Sequence, residues 1–188
     1  MQPIRRRSGM TLIEVLIVIT MIGLMAAVVV PRFRVSKSTR VRQAADVLVR
    51  DLEQARTRAL STRSRVRVNF VAASNSYTGY LDFNRDTLFA MSTAERDSLR
   101  GFGTRTLTDG VVIGRGGSTP DLPSITGSGA ITFTGGNLNF DSRGLTWPFG
   151  TSGVIYLTHT SDPTAVAAVG VTAGGAIRRW IYRGGTWQ

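Results

Sequence analysis

A single carboxylate inside a long apolar run is the position in this sequence that most needs a chemical explanation. Glu14 lies four residues after Met10, in a run (residues 10–30) that contains no other charged side chain. A charge near a membrane core is costly and is a functional hypothesis by default. Glu14 therefore either meets a cationic partner, or it is protonated or snorkels towards the membrane surface.

A cluster of arginines and aromatic rings near the end of the chain is the second candidate. It consists of Arg178, Arg179, Arg183, Trp180, Tyr182 and Trp187. Arginines neutralise phosphates and aromatic rings stack on bases, so the cluster is a candidate nucleic-acid site. On a strand, Arg179 and Arg183 share one face with Ile181, and Arg178 lies on the other. The competing interpretation is an edge strand kept soluble by its charge.

Histidine and cysteine, which supply many catalytic and metal sites, are nearly absent. The 188 residues include no cysteine and one histidine, His159, which we interpret as a surface residue of a strand. Its nearest acid, Asp162, belongs to a Ser-Asp-Pro turn and predicts no triad. Asp82 and Asp86 lack the glycine and distal glutamate of an EF-hand loop. We expect a protein that is not an enzyme and that uses no metal and no cofactor.

Composition predicts a folded and strongly basic protein. Hydrophobic residues make up 42% and charged residues 19%, which suffices for a packed core and excludes wholesale disorder. The 23 basic and 12 acidic residues give a formal charge of +11. This excess indicates an anionic partner or a charge that processing reduces.

The length and flanks of the apolar run indicate a membrane segment. As a helix, residues 10–30 would extend about 31 Å, roughly one bilayer core. Arg5, Arg6 and Arg7 precede it, so the positive-inside rule places the N-terminus in the cytoplasm. A cleavable secretory signal would have a shorter apolar region, about 7–15 residues, and a small-residue cleavage site. A signal anchor fits the length but does not explain Glu14.

Three features around Glu14 fall into one register: Gly9, the segment Thr11-Leu12-Ile13-Glu14 and Pro31. In this register they resemble the class III signal of type IV pilins and type II secretion pseudopilins. The resemblance implies that a prepilin peptidase cuts after Gly9 and methylates the new amine of Met10. Met10 itself departs from the pattern, since phenylalanine is usual there.

The resemblance also implies that Glu14 directs assembly, with Pro31 ending the membrane half of the helix. The Glu14 carboxylate would pair with the Met10 amine of a neighbouring subunit. Two unit charges about 4 Å apart gain roughly 4 kcal/mol at an effective dielectric of 20. An unpaired Glu14 would instead carry a desolvation cost, so the pair favours assembly in register.

Partners and location follow from the same resemblance. The implied partners are other pilin or pseudopilin subunits, the prepilin peptidase and the inner membrane, with DNA as a candidate. The implied location is a single pass through the inner (cytoplasmic) membrane, with the N-terminus in the cytoplasm. The head would lie in the periplasm or on a cell-surface filament.

An apolar stripe after Pro31 predicts that the helix continues to about Leu60 with a kink or an unwound turn near the proline. The stripe repeats at spacings of three and four and comprises Val41, Ala44, Ala45, Leu48, Leu52, Ala55 and Ala59. We therefore divide the chain into a removable leader (1–9), a transmembrane or filament-core helix (10–31), an amphipathic helix (32–62) and a β-rich globular head (63–188).

Alternating patterns predict that the head consists of short antiparallel strands, and Ser74-Asn75-Ser76 predicts the turn that joins the first two into a hairpin. Strands are expected at residues 66–70, 77–83, 106–113, 130–134, 138–140, 154–158, 166–172 and 176–182. A helical turn is expected near 93–99 and a loop at 114–129. The fold class is α+β, with a long N-terminal helix packed on two small antiparallel sheets, a pilin-like fold.

Two segments of the head narrow the resemblance to the GspH/FimT family of minor pseudopilins. Residues 139–144 (Asn-Phe-Asp-Ser-Arg-Gly) resemble its Phe-x-x-Arg-Gly segment, and residues 169–178 resemble its last hairpin. Some members bind DNA through a Gly-Arg-x-Arg motif, of which this chain keeps Gly175 and Arg178 but has Ala176 for the first arginine. The predicted function is a minor pilin or pseudopilin subunit. The alternative is a DNA-binding minor pilin of a natural-transformation pilus.

Overall fold

The computed structural model describes residues 10–29, 36–86, 89–99, 101–117, 119–123 and 125–188. The chain divides into two units, one that ends at Ser36 and one that comprises Lys37–Gln188. Gly9, Pro31 and the predicted kink lie outside the described residues, as does the predicted continuity of the long helix. We call the whole second unit the head, so in the structure the term includes the amphipathic helix as well as the β-rich part.

Helix α1 (Leu12–Val29) is the helix described in the first unit. Thr11 precedes it, and its hydroxyl Oγ1 accepts a hydrogen bond from the backbone N–H of Glu14 at 3.3 Å, the N-cap arrangement that threonine favours. The Thr20 hydroxyl donates to the carbonyls of Leu16 and Ile17, so this polar group is satisfied within the helix. Among the described residues, none of the helices combines the length and the apolar composition that crossing a bilayer requires.

Helix α2 (Lys37–Thr62) carries the predicted apolar stripe into the core of the head. Six of the seven stripe residues are buried, and Ala44 packs against the core while half-buried. The stripe contains four alanines, which let the helix backbone lie close to the sheets. The sequence-based prediction of an amphipathic helix is confirmed, although the described helix begins at Lys37.

The structure describes ten strands after α2, with a short helix α3 (Thr93–Ser98) between β2 and β3. They are β1 Val66–Val71, β2 Ser76–Leu81, β3 Thr104–Thr106, β4 Val111–Ile113, β5 Asn137–Phe140, β6 Thr146–Trp147, β7 Gly153–His159, β8 Asp162–Val171, β9 Ile177–Arg183 and β10 Thr186–Trp187. The first sheet has the order β3-β2-β1-β5-β6 and the second β10-β9-β8-β7-β4. All pairings between named strands are antiparallel, as predicted.

Helix α2 contributes its stripe to a core shared with both sheets. Strand β1 turns alternate residues inward, as its sequence predicts, because only one face of that strand meets the core. Strand β7 is buried along its whole length, since the core lies on one face and Leu122 packs against Val154 and Tyr156 on the other. Every residue of this core lies between Val41 and Val171. The head thus contains its own core and has what it needs to fold without α1.

Two of the predicted strands are wrong. Residues 106–113 do not form one strand, because Asp109 and Gly110 adopt positive φ angles and turn the chain from β3 in one sheet to β4 in the other. An Asp-Gly pair is itself a turn signal, and it argues against one continuous strand over residues 106–113. Residues 130–134 contribute only an isolated bridge from Ile131 to Ile155 before a 3-10 turn at Thr134–Gly136.

A buried hydrogen bond joins α2 to the first sheet. The Tyr77 hydroxyl on β2 donates to Asp51 Oδ2 on α2 at 2.6 Å, and Arg105 Nε lies 3.6 Å from the same oxygen. Burial, reinforced by the hydrogen bond to Asp51 and by the charge of Asp51, raises the pKa of the Tyr77 hydroxyl well above its ordinary value. The folded head therefore holds Tyr77 in its neutral form.

This shift predicts a loss of stability in alkali. The unfolded chain ionises tyrosine near pH 10, whereas the folded head resists ionisation of Tyr77, so the free energy of unfolding should fall as the pH rises above about 10. Below about pH 9 both states hold the proton and this group adds no pH dependence. Tyr77→Phe should flatten the alkaline slope and, by leaving Asp51 without its donor, cost about 1–3 kcal/mol at neutral pH.

Denaturant-induced unfolding of the head, measured at several pH values between pH 7 and pH 11, tests this effect. Tyr80→Phe is the matched control, because Tyr80 lies on the same strand but turns away from the core and is only half-buried. The prediction is wrong if Tyr77→Phe and Tyr80→Phe keep the same alkaline slope.

Candidate functional site

The N-terminal candidate site consists of Met10, Thr11 and the first turn of α1. Met10 is 66% exposed and Glu14 is exposed as well. Glu14 is the third residue of the helix, where the positive end of the helix dipole favours a carboxylate. Among the described residues no cation lies within 4 Å of its carboxylate.

The C-terminal candidate site is divided between the two faces of β9. Arg179 points towards α2, where its Nη1 forms an ion pair and hydrogen bond with Asp46 Oδ1. Arg183, on the same face as predicted, lines a groove between α2 and the second sheet. Arg178 lies on the opposite face, beside Trp180. The three arginines therefore do not form one surface, and Arg179 already has a carboxylate partner.

The two head segments that carry the GspH/FimT resemblance meet in space. The carbonyl oxygen of Gly144 accepts a hydrogen bond from Arg56 Nε on α2 at 3.0 Å, and a side chain at Gly175 would collide with that oxygen. The Thr146 hydroxyl donates to the Ala173 carbonyl at 2.9 Å. This junction ties β6 of the first sheet to the β8–β9 turn of the second.

Asp141 builds the turn that presents Gly144. Its carboxylate accepts hydrogen bonds from the backbone N–H groups of Arg143 and Leu145, both at 2.9 Å, and from Arg143 Nε at 3.0 Å. Burial alone would raise the pKa of Asp141, but these hydrogen bonds and the charge of Arg143 outweigh it, and the pKa lies below its ordinary value. The carboxylate thus stays ionised at neutral pH, which keeps the turn closed.

Two arginines outside both predicted sites stack on aromatic rings, which the sequence does not predict. The guanidinium of Arg65 lies 4.4 Å from the ring centroid of Trp147, and that of Arg67 lies 4.3 Å from Phe89. The partners are up to 82 residues apart, so no local pattern signals them. Arg65 immediately precedes β1 and Arg67 lies in it, and these contacts engage the charges of both arginines within the head.

The one histidine lies in the interior, which corrects its interpretation as a surface residue. His159 is in β7 and 7% exposed. Its Nδ1 accepts a hydrogen bond from the backbone N–H of Ser161 at 3.2 Å. In the part of the chain that the structure describes, no group of three or more His, Cys, Asp or Glu side chains is arranged to hold a metal ion.

Known proteins resemble this chain in its N-terminal segment and in its fold. Residues 4–30 match the family model of the prokaryotic N-terminal methylation motif. No curated protein matches the sequence.

The structure is similar to a crystal structure of the type IV minor pilin FimU of Pseudomonas aeruginosa (strain PAO1). The TM-score is 0.50 at 12% identity, and the match covers 78% of this chain and 96% of that one. It is also similar to the minor pseudopilin EpsH from the type 2 secretion system of Vibrio cholerae. That TM-score is 0.48 at 12% identity, over 78% of this chain and 99% of that one. The chain therefore combines the prokaryotic N-terminal methylation motif at residues 4–30 with an α+β fold similar to that of a type IV minor pilin.

Proposed function

We propose that this protein is a minor pilin or pseudopilin, a structural subunit that assembles into a type IV pilus or a type II secretion pseudopilus. The observation that carries the proposal is the methylation motif at residues 4–30, followed by a separate α+β head. Helix α1 supports it, because the apolar side chains that the structure describes there are exposed. Such a surface needs a lipid or protein environment.

The finer proposal concerns processing, location and partners. A prepilin peptidase cuts after Gly9 and methylates Met10, and the apolar segment holds the subunit in the inner membrane before assembly. Its partners are other pilin or pseudopilin subunits, whose amines or carboxylates complement those of Met10 and Glu14. Glu14 supports this role because it is exposed and lacks a cation among the described residues.

The GspH/FimT resemblance belongs to this finer proposal. This resemblance is supported by the contact between its two segments, residues 139–144 and 169–178, at Gly144 and Gly175. A DNA-binding role for Arg178, Arg179 and Arg183 stays a prediction. It has less support, because Arg179 pairs with Asp46 and Arg178 lies on the other face of the strand.

Processing is the test of the proposed function. When the full chain is co-expressed with a prepilin peptidase, intact-mass analysis should show loss of residues 1–9 and one added methyl group. Gly9→Val should reduce the processed fraction by more than about tenfold, since a branched side chain at the cut displaces the bond from the catalytic groups.

The matched control is Ser8→Ala, which alters the neighbouring residue and should be processed like the original. An unprocessed original chain, or equal processing of Gly9→Val and Ser8→Ala, would contradict the assignment.

A further inference from the structure

The face of the second sheet that turns away from α2 carries a small apolar cluster of its own. Val154, Tyr156 and Ala168 lie on this face and pack against Leu122 from the segment before β5. Trp180 of β9, opposite Ala168 in the strand register, packs against the same cluster. This cluster is distinct from the core under α2, and it shares Trp180 with the C-terminal candidate site predicted from the sequence.

Several hydrogen bonds hold the segment that contains Leu122 in place. The backbone N–H of Leu122 donates to the Tyr156 hydroxyl at 3.3 Å, and Trp187 Nε1 donates to the Pro120 carbonyl at 3.2 Å. Arg115 forms an ion pair with Asp121 and donates to the Gly127 carbonyl at 2.8 Å. Pro120, Asp121 and Leu122 are therefore held in place and form a wall beside the sheet.

Beside this wall the face is concave. Residues with little or no side chain, Gly170, Ala173 and Ala176, form part of a cavity of about 490 Å³ that Leu122 and Ile125 also line. A Cβ atom at Gly170 would lie 3.5 to 3.6 Å from Leu122, Ile125 and Trp180, so the glycine leaves room that a side chain would occupy. Small-ligand sites have volumes of about 300–1,000 Å³.

The charge that lines this cavity is positive. Arg178 lines it and is exposed, and none of the described residues that line it is acidic. No described carboxylate lies within 4 Å of the Arg178 guanidinium. Arg178 pairs with Gly170 across β8 and β9, so the cation lies next to the open floor of the cavity.

We propose that this cavity binds a small amphiphilic anion, with its apolar body against Leu122, Ile125 and Trp180 and its acidic group on Arg178. The apolar wall supplies hydrophobic contact, and the planar guanidinium can donate two parallel hydrogen bonds to a carboxylate or sulfonate. Every residue involved lies in the head, so the head alone suffices to test this binding.

The head, residues 37–188, allows a direct test with a fluorescent aromatic sulfonate, 1-anilinonaphthalene-8-sulfonate. The probe should bind saturably at one site and be displaced by octanoate more strongly than by neutral octanol. Arg178→Gln should weaken octanoate by about tenfold and leave octanol unchanged, since it removes a charge-assisted hydrogen bond but no apolar surface. Gly170→Val should weaken both competitors, because it fills the cavity.

Arg183→Gln is the matched control, since it removes the same charge from an exposed arginine of β9 that does not line this cavity. Thermal melts of each variant distinguish lost binding from lost folding. Equal effects of Arg178→Gln and Arg183→Gln would overturn the proposal, as would no saturable binding. Displacement by a single-stranded oligonucleotide but not by octanoate would also overturn it and assign Arg178 to nucleic acid.

Discussion

Glu14→Val should leave prepilin processing and membrane insertion intact and should lower incorporation into filaments by at least about tenfold. Valine is apolar and suits the segment around it, so the change removes only the carboxylate that is proposed to meet a neighbouring amine. An ion pair at about 4 Å is worth roughly 4 kcal/mol at an effective dielectric of 20, and partial loss of it suffices for this effect. Quantifying the subunit in membrane and sheared-filament fractions measures the outcome.

Two further variants separate the charge of Glu14 from its place in the helix. Thr11→Val removes the hydroxyl that accepts the Glu14 backbone N–H, which costs about 1 kcal/mol of helix capping but keeps the carboxylate. We expect it to be incorporated nearly normally, whereas Glu14→Gln should behave like Glu14→Val. Normal incorporation of Glu14→Val would refute the assembly role that we give this residue.

Local patterns predicted those parts of the head whose structure depends on neighbours in sequence. The stripe on α2 was predictable because apolar residues spaced by three and four share one helix face. The β1–β2 hairpin was predictable because alternation and a turn signal at Asn75 coincide there. In the structure Asn75 has φ +48°, a left-handed conformation that asparagine tolerates better than most residues.

Contacts between distant residues were not predictable. Asp46 and Arg179 are 133 residues apart, and nothing in either neighbourhood indicates that α2 and β9 would bring them together. The pair changes the interpretation of the C-terminal candidate site, because Arg179, which the sequence offers as a phosphate-binding cation, already has a carboxylate partner in the structure. Strands β6 and β10 are only two residues long, too short for any alternation to signal them.

The junction between residues 139–144 and 169–178 combines both kinds of information. The resemblance named these segments, but only the structure shows that they touch at Gly144 and Gly175. The close approach of two backbones explains the need for glycine at Gly175, where the chain also has φ +77°. The junction lies where both sheets meet α2, so damage to it should affect the entire head.

Gly175→Ala should destabilise the head by about 3–5 kcal/mol or prevent it from folding. The added methyl group would strike the Gly144 carbonyl oxygen, which is backbone and cannot swing aside, and would lie 3.1 Å from Arg56 Nε. Separating the two backbones would also break the hydrogen bond from Arg56 to that oxygen. The positive φ adds about 1–2 kcal/mol for a residue with a side chain. Denaturant unfolding of residues 37–188 measures the loss.

Gly174→Ala is the matched control, because it adds the same methyl group one residue earlier. There the nearest heavy atom is Thr172 Oγ1 at 4.0 Å and φ is not positive, so stability should change by no more than about 0.5 kcal/mol. If Gly175→Ala does not fold, Arg56→Met provides a milder measurement of the same junction, with an expected loss of about 1–3 kcal/mol. A Gly175→Ala head as stable as the Gly174→Ala head would mean that the two backbones do not approach as closely as the structure has them.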